Sequence, residues 1–385
     1  QKEYGIEDSV DNWLALWKER NGEDGQYPDY DRVKTLIEEG NRTIQWLHDY
    51  TSYQYRKPEG FGVDPVERLH FPVEGGGAAL MSHLSAFAQD KMTILFSHRG
   101  VKLILEDGRV AGVVAETPEG EKEFRAKKVI LATGGFARNQ ELLDRFIPDS
   151  NFKADVSVAY PYSNGDGILM AEEAGAALYE NPWVNGLKAA SKVADLGAYT
   201  WDYSKIYVDK TGKRFVDEFC HYAIFTNLVE ERGVVFLLAD SSDEKLVQAM
   251  EANLSGGEVF KGETIEELAE NMGIDPVVLA ETVKVYNEGC AKGEDEFGKP
   301  AALLAPLQTG PFYAASYYAQ TMGTFGGVKT DDTYRVLKED GSLIENLYAV
   351  GECSNRFAYN NVYMSGSAVM LALTTGRIAG ADAAK

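Results

Sequence analysis

The stretch "VILATGG", Val129 to Gly135, does most to constrain the fold. A wholly apolar strand, Val129–Ala132, runs into Thr133-Gly134-Gly135 and then into a helical pattern. That order predicts an open α/β sheet, in which ligands lie beyond the carboxyl ends of the strands. Glycine at the turn lets the backbone approach a ligand closely. Upstream, from Thr93, short apolar runs are broken at Asp107-Gly108 and Pro118-Glu119-Gly120. This reads as a β-meander with tight turns that closes in the Val129–Ala132 strand.

Helical spacing covers residues 30–50 and 78–91, the second entered through Gly75-Gly76-Gly77. "SNGDGILMAEEAGAAL" (163–178) predicts another helix, capped by Asn164 or Asp166. Aromatics, lysines and amphipathic helices such as "LAETVKVYNEGCAKG" then become frequent, which marks residues 181–318 as an inserted second domain. The sheet returns at "TMGTFGGVKTD" and "NLYAVGECSNRF". The chain ends in a small-residue helix opened by Ser365-Gly366-Ser367, whose first amides suit a flat ligand. The expected organisation is therefore residues 1–180 and 319–385 as one domain and 181–318 as the other.

Bulk properties remove several function classes. A chain of 385 residues is long enough for two cores. The net charge of −22, from 60 acids and 38 bases, repels phosphate backbones, so no nucleic-acid partner is expected. No run of about 18 apolar residues is present, so no membrane span is expected. Three scattered cysteines (Cys220, Cys290, Cys353) and five histidines make neither a disulfide framework nor a metal site, so no metal is expected.

Eight segments in order carry a resemblance to a known family: "VILATGGF", "NGDGILMAEEAGA", "DKTGKRFVDE", "EFGKP", "GPFYA", "TMGTFGGV", "LYAVGE" and "SGSAVMLALTTGRIAG". Spanning about residues 60 to 385, they resemble the fumarate reductase flavoproteins, a family that also contains the 3-ketosteroid dehydrogenases. The resemblance implies an α/β fold: a Rossmann-like FAD-binding domain with an inserted α+β capping domain. It implies FAD as cofactor, bound without a covalent link. The family's Gly-x-Gly-x-x-Gly strand-turn-helix is missing, because "QKEYGIEDS" looks like the segment that follows it. The ADP half of FAD thus has no cradle here, and the chain alone is expected to bind FAD poorly. Carried over by position, Glu352 of "VGE" serves the ribityl hydroxyls. Gly366, Ser367 and Ala368 face the flavin's C2 carbonyl. Ala132, Thr133, Gly134, Gly135 and Asp166 lie toward the rest of the cofactor.

The substrate positions depart from the fumarate pattern. Fumarate reductases hold a dicarboxylate with two arginines and two histidines, since bidentate guanidinium matches carboxylate. The proton-donating arginine falls at Tyr222, the second arginine at Tyr363, and the histidines at Gln320 and Asn181. Every cationic ligand has become neutral, and a buried dicarboxylate would be left uncompensated. Tyrosine at the first position resembles the 3-ketosteroid dehydrogenases, although their second tyrosine aligns with Val362. Hydride transfer at the β-carbon of an enone requires a proton at the α-carbon and donors on the carbonyl oxygen. Tyr222 is the expected acid, and Tyr363 with the Gly366 amide the expected oxygen ligands.

The resulting expectation is an FAD-dependent oxidoreductase acting on a C=C bond beside a carbonyl in a neutral, bulky, steroid-like or aryl substrate. A dicarboxylate reductase relative and an inert fragment are the alternatives. An external electron donor or acceptor is expected, because no CxxCH or flavin-carrier motif is present. The compartment is open, with the cytoplasm favoured. Of the remaining candidates, Arg68 and His70 precede a glycine-led helix, and His221 reads as a surface or packing residue. Arg214 is expected to pair Glu218 on a helical turn, and the acidic run 292–296 to be a solvated loop.

Overall fold

The computed structural model describes residues 2–385. Two compact units are present: unit 1 is Gln1–Ile147, Ala159–Asn185 and Gly323–Lys385, and unit 2 is Pro148–Val158 and Gly186–Met322. Residues 148–158, kept with the first domain on sequence grounds, group with unit 2. There the Asn151 amide donates to Glu230 Oε1 at 2.8 Å and the Val158 amide to the Thr321 carbonyl at 2.8 Å.

In chain order the helices are α1 (Val10–Asn21), α2 (Tyr30–Thr51), α3 (Gly77–Ala88), α4 (Gln140–Phe146), α5 (Asp166–Glu173), α6 (Tyr222–Arg232), α7 (Glu244–Glu251), α8 (Ile265–Met272), α9 (Pro276–Lys292) and α10 (Ser367–Ala383). The strands are β1 (Arg99–Glu106), β2 (Arg109–Thr117), β3 (Gly120–Arg125), β4 (Val129–Leu131), β5 (Trp183–Ala190), β6 (Ile206–Val208), β7 (Val235–Ala239), β8 (Val259–Gly262), β9 (Phe312–Phe325), β10 (Arg335–Leu337) and β11 (Leu343–Ala349).

Unit 1 is built around two helices that meet backbone to side chain. Asp29 caps α2 by accepting from the Arg32 amide at 3.2 Å. The helix buries Val33, Leu36, Ile37, Gly40, Thr43 and Leu47, a stripe at three- and four-residue spacing. A Cβ at Gly40 would lie 2.6 Å from Met370 Sδ, so the glycine makes room for the Met370 side chain where α2 packs on α10. The meander forms as β1-β2-β3, with Asp107 and Gly108 both at positive φ in the two-residue turn joining β1 to β2. Its expected closure in Val129–Ala132 is corrected by the structure: β4 leaves the meander and pairs parallel to β11 in a separate sheet ordered β10-β11-β4. The parallel partner buries Leu131 at the end of the strand, while Ile130 stays exposed.

The helix expected over 163–178 is confined to α5, and neither Asn164 nor Asp166 caps it. Gly165 at φ +81° stands at the N-cap, where a Cβ would meet Leu142 Cδ1 at 2.5 Å. Asp166 instead accepts from Arg99 at 2.8 and 2.9 Å.

Unit 2 is a five-stranded sheet, ordered β5-β9-β7-β6 with β8 also on β9, covered by helices. Its core gathers Ile206, Phe236 and Leu238 from strands with Leu268, Leu279 and Val283 from α8 and α9. Arg214 does pair Glu218, at 2.8 Å, but on an irregular segment rather than a helical turn. The acidic run is not wholly solvated: Asp295 sits 2.5 Å from Arg214 with its side chain 1% exposed. Lys299 completes this buried quartet, 3.2 Å from Glu218.

Candidate active site

Unit 1 contains a cavity of about 800 Å³. The starts of α3 and α10 open onto it through Gly76, Gly77, Ser365 and Gly366. Its walls include Trp13, Ile37, Tyr53 and Tyr55, with His70 and the ion pair of Arg68 and Asp8 (2.7 Å) beside them. Burial pushes the His70 imidazole below its ordinary value, which favours the neutral ring, and its Nδ1 lies 2.8 Å from the Arg68 carbonyl. Gly366 has φ +78°, and a Cβ there would meet Leu69 Cδ2 at 2.4 Å. Neither α3 nor α10 has a cap from its own N-cap side chain. Two glycine-led helix starts around a largely apolar cavity suit a flat, electron-rich ring.

A second cluster lies where β4 ends. Glu352 Oε1 accepts from the Thr324 amide at 2.7 Å and from its hydroxyl at 3.0 Å. A Cβ at Gly135 would fall 2.0 Å from Thr324 Oγ1 and 2.1 Å from Glu352 Oε1, so the glycine is what admits the carboxylate. Burial raises the Glu352 pKa, against the lowering effect of the two Thr324 bonds. Ala132 and Thr133 are exposed at the strand end, and Gly134 takes φ +74° with open space around its Cα. A Cβ at Gly167 would lie 2.1 Å from Thr133 Oγ1, so α5 starts against this turn.

The substrate candidates divide between the units. In unit 1, Tyr363 is 8% exposed, and its hydroxyl oxygen accepts from the Ala368 amide at 3.2 Å, fixing the first turn of α10. Ser367 is fully buried and bonds Tyr359 at 2.7 Å. Asn181 lies exposed on a bend at φ +49° and donates to Gln26 at 3.3 Å. In unit 2, Tyr222 is the first residue of α6 and 5% exposed, with Trp201 edge-on at 6.4 Å. His221 stacks on Tyr222 at 4.3 Å and caps α6, its Nδ1 accepting from the Ala223 amide at 3.3 Å. It is thus a buried cap, and the proton of the neutral ring resides on Nε2. Gln320 is half-buried on β9.

Sequence reasoning missed the cavity walls Trp13, Tyr53 and Tyr55, and Lys188 of unit 2. The available signal for the last was a lone charge in the otherwise uncharged strand "WVNGLKAA". Among the described residues no group of His, Cys, Asp and Glu is arranged to hold a metal, and no helix is long and apolar enough to cross a membrane.

The fold and cavity are those of a protein that binds a flat, electron-rich ligand in unit 1, and the comparisons say which family it is. A family model for the FAD binding domain matches residues 1–368, and the chain belongs to that family. It is 29% identical to the NADH:acrylate oxidoreductase of Vibrio harveyi, over 94% of this chain and 38% of that protein. It is also 29% identical to the urocanate reductase of Eggerthella lenta, over 100% of this chain and 66% of that protein. The chain therefore spans less than two thirds of the length of these relatives. Among solved structures, the open conformation of a flavocytochrome c3 fumarate reductase superposes with TM-score 0.73 at 26% identity, covering 100% of this chain and 68% of the other. The 3-ketosteroid-Δ4-(5α)-dehydrogenase of Rhodococcus jostii gives 0.74 at 26% identity, covering 99% and 85%. The family expected from the eight segments is the one found.

Proposed function

We propose that this chain is the flavin- and substrate-binding part of an FAD-dependent oxidoreductase that reduces or forms a C=C bond beside a carbonyl. The cavity residues fit a flavin: two glycine-led helix starts and a glycine at Gly366 that no side chain can replace without displacing Leu69, with the Glu352 carboxylate in a separate cluster of the same unit. FAD, when bound, supplies or accepts the hydride. The positive end of α10, which begins at Ser367 after Gly366, would favour negative charge on the ring. Tyr363 positions that turn, and with the Gly366 amide it holds the carbonyl oxygen. Tyr222 moves the proton at the α-carbon, with Gln320 beside the substrate.

The observation that carries the substrate reading is the side-chain set at positions 222, 320, 363 and 181: Tyr, Gln, Tyr and Asn, with no cation. The reacting end of the substrate is accordingly a bulky enone, steroid-like or aryl, and not a dicarboxylate. A structural neighbour named for a ketosteroid supports the neutral reading, whereas the compounds that two relatives are named for, acrylate and urocanate, carry a carboxylate on the alkene. Tyr222→Phe tests it in the flavin-loaded protein. Turnover of an enone should fall about 10²–10⁴-fold with flavin absorbance unchanged. Full turnover in the variant, or brisk reduction of fumarate by the parent, would reject the assignment.

A further inference from the structure

The cavity of unit 1 is lined by two side chains, Arg68 and His70, that the reaction scheme leaves without a role. Their segment is fixed by its own backbone. Leu69 exchanges both backbone hydrogen bonds with Glu59, at 2.9 and 3.0 Å, and the Phe71 carbonyl accepts from the Arg56 amide at 3.0 Å. Arg68 donates to both oxygens of Asp8, at 2.7 and 2.8 Å, and its guanidinium lies 5.6 Å from the Trp13 ring. Leu69 lies against the start of α10, since a Cβ on Gly366 would fall 2.4 Å from its Cδ2. His70 is thus one residue along from a contact with that helix start.

The imidazole of His70 is held in one state. Its Nδ1 is 2.8 Å from the Arg68 carbonyl, which can only accept, so Nδ1 carries a proton. Burial favours the neutral ring, which leaves Nε2 with a bare lone pair. Among the described residues no group hydrogen-bonds that nitrogen, and Tyr55 packs edge-on to the ring at 5.7 Å. The other acidic or phenolic groups of the wall differ. Both Asp8 oxygens are taken by Arg68, and Glu3 is exposed. Burial raises Tyr53 and Tyr55, so both phenols stay protonated and can donate. His70 Nε2 is half-buried, able only to accept, and not already engaged.

We propose that His70 is a cofactor-binding residue whose Nε2 accepts the N3 hydrogen of the flavin ring. This rests on the reading of the unit 1 cavity as the flavin site. An oxidised isoalloxazine carries one N–H, at N3, between the C2 and C4 carbonyls, and its other polar ring atoms only accept. A nitrogen that cannot donate therefore takes the ring at N3 alone. A carbonyl flanking N3 then falls to the positive end of α10, which Leu69 brings beside His70. The Asp8–Arg68 pair acts at one remove. It fixes the segment whose carbonyl sets the His70 tautomer, which is a positioning role. A ring without the N3 hydrogen would leave Nε2 unsatisfied in the cavity wall.

The probes are lumiflavin, the ring without ribityl or ADP, and 3-methyllumiflavin, which has no N3 hydrogen. Neither depends on a cradle for the ADP half of FAD. Each is titrated into the parent, His70→Leu and His70→Phe, and binding is read from quenching of the ring's fluorescence, with no turnover required. The parent should bind lumiflavin about 10–100-fold more tightly than the methylated ring. In the two variants, which differ in bulk, the rings should bind within about threefold of each other. Lumiflavin should have lost affinity there and the methylated ring none. A parent that binds both rings equally overturns the assignment and leaves the flavin cavity standing. A preference that survives in either variant does the same, because it then comes from crowding at N3. A parent that binds neither ring overturns the assignment together with the flavin reading.

Discussion

Replacing Lys188 by methionine tests the electrostatics of unit 2 without any assumption about substrate. The substitution keeps the length of the side chain and removes the charge. Folding takes the amine from its ordinary 10.5 to about 8, mainly through desolvation. At about 1.4 kcal/mol per pH unit, that difference corresponds to roughly 3 kcal/mol against the folded state at neutral pH. Cation–π attraction to Tyr203, Phe225 and Trp201 returns about 1–2 kcal/mol. Lys188→Met should therefore be more stable than the parent by about 1–2 kcal/mol at pH 7. The sign with pH follows from linkage. Between about 8 and 10.5 the unfolded chain holds a proton that the folded chain has released, so the penalty fades as pH rises and is complete below 8. The advantage of the variant should be largest at pH 7 and shrink by about 1 kcal/mol or more by pH 9.5. Urea unfolding of both proteins at the two pH values measures this. A variant less stable than the parent at pH 7, or a difference that does not change with pH, would refute the reasoning, because it would mean that the ammonium is compensated in the folded protein.

Two further substitutions probe the flavin cavity and the buried quartet. Gly366→Ala places a methyl 2.4 Å from Leu69 Cδ2 at φ +78°; a loss of about 1–2 kcal/mol and weakened FAD uptake are expected, read by thermal midpoint and flavin absorbance. Arg214→Met leaves the Glu218 and Asp295 carboxylates buried with Lys299 alone; a loss of about 3–5 kcal/mol is expected in urea unfolding, partly restored by adding Glu218→Gln.

What could be read in the sequence was what short stretches determine by themselves. The Asp107-Gly108 turn follows from two residues that tolerate positive φ between alternating runs, and the glycine-led starts of α3 and α10 follow from spacing alone. Long-range pairing was not legible. The strand Val129–Leu131 gives no hint that its neighbour is Leu343–Ala349, over two hundred residues onward, and its sequence position points to the adjacent meander instead. His221 reads as an incidental polar residue until the α6 amides that it caps are in place. Asp295 looks solvated among its acidic neighbours until Arg214 turns toward it from a distant loop.

The same limit bears on the substrate. Counting cations by alignment position finds none at 222, 320, 363 and 181, and points to a neutral ligand. Counting them by neighbourhood finds Lys188, on a strand that no family motif marks, with its nearest acids already engaged. Position in a motif reports which residue fills a role inherited by the family. The charge that a site can accept depends instead on the sum over everything packed around it. Around Lys188 that sum includes Asp202 and Asp217 as well as Glu218 and Asp295, set against Arg214, Lys299 and Lys205. The neutral set at the four family positions therefore carries the substrate reading by itself, and the burial of Lys188 is a cost that the folded protein bears without a compensating ligand being required.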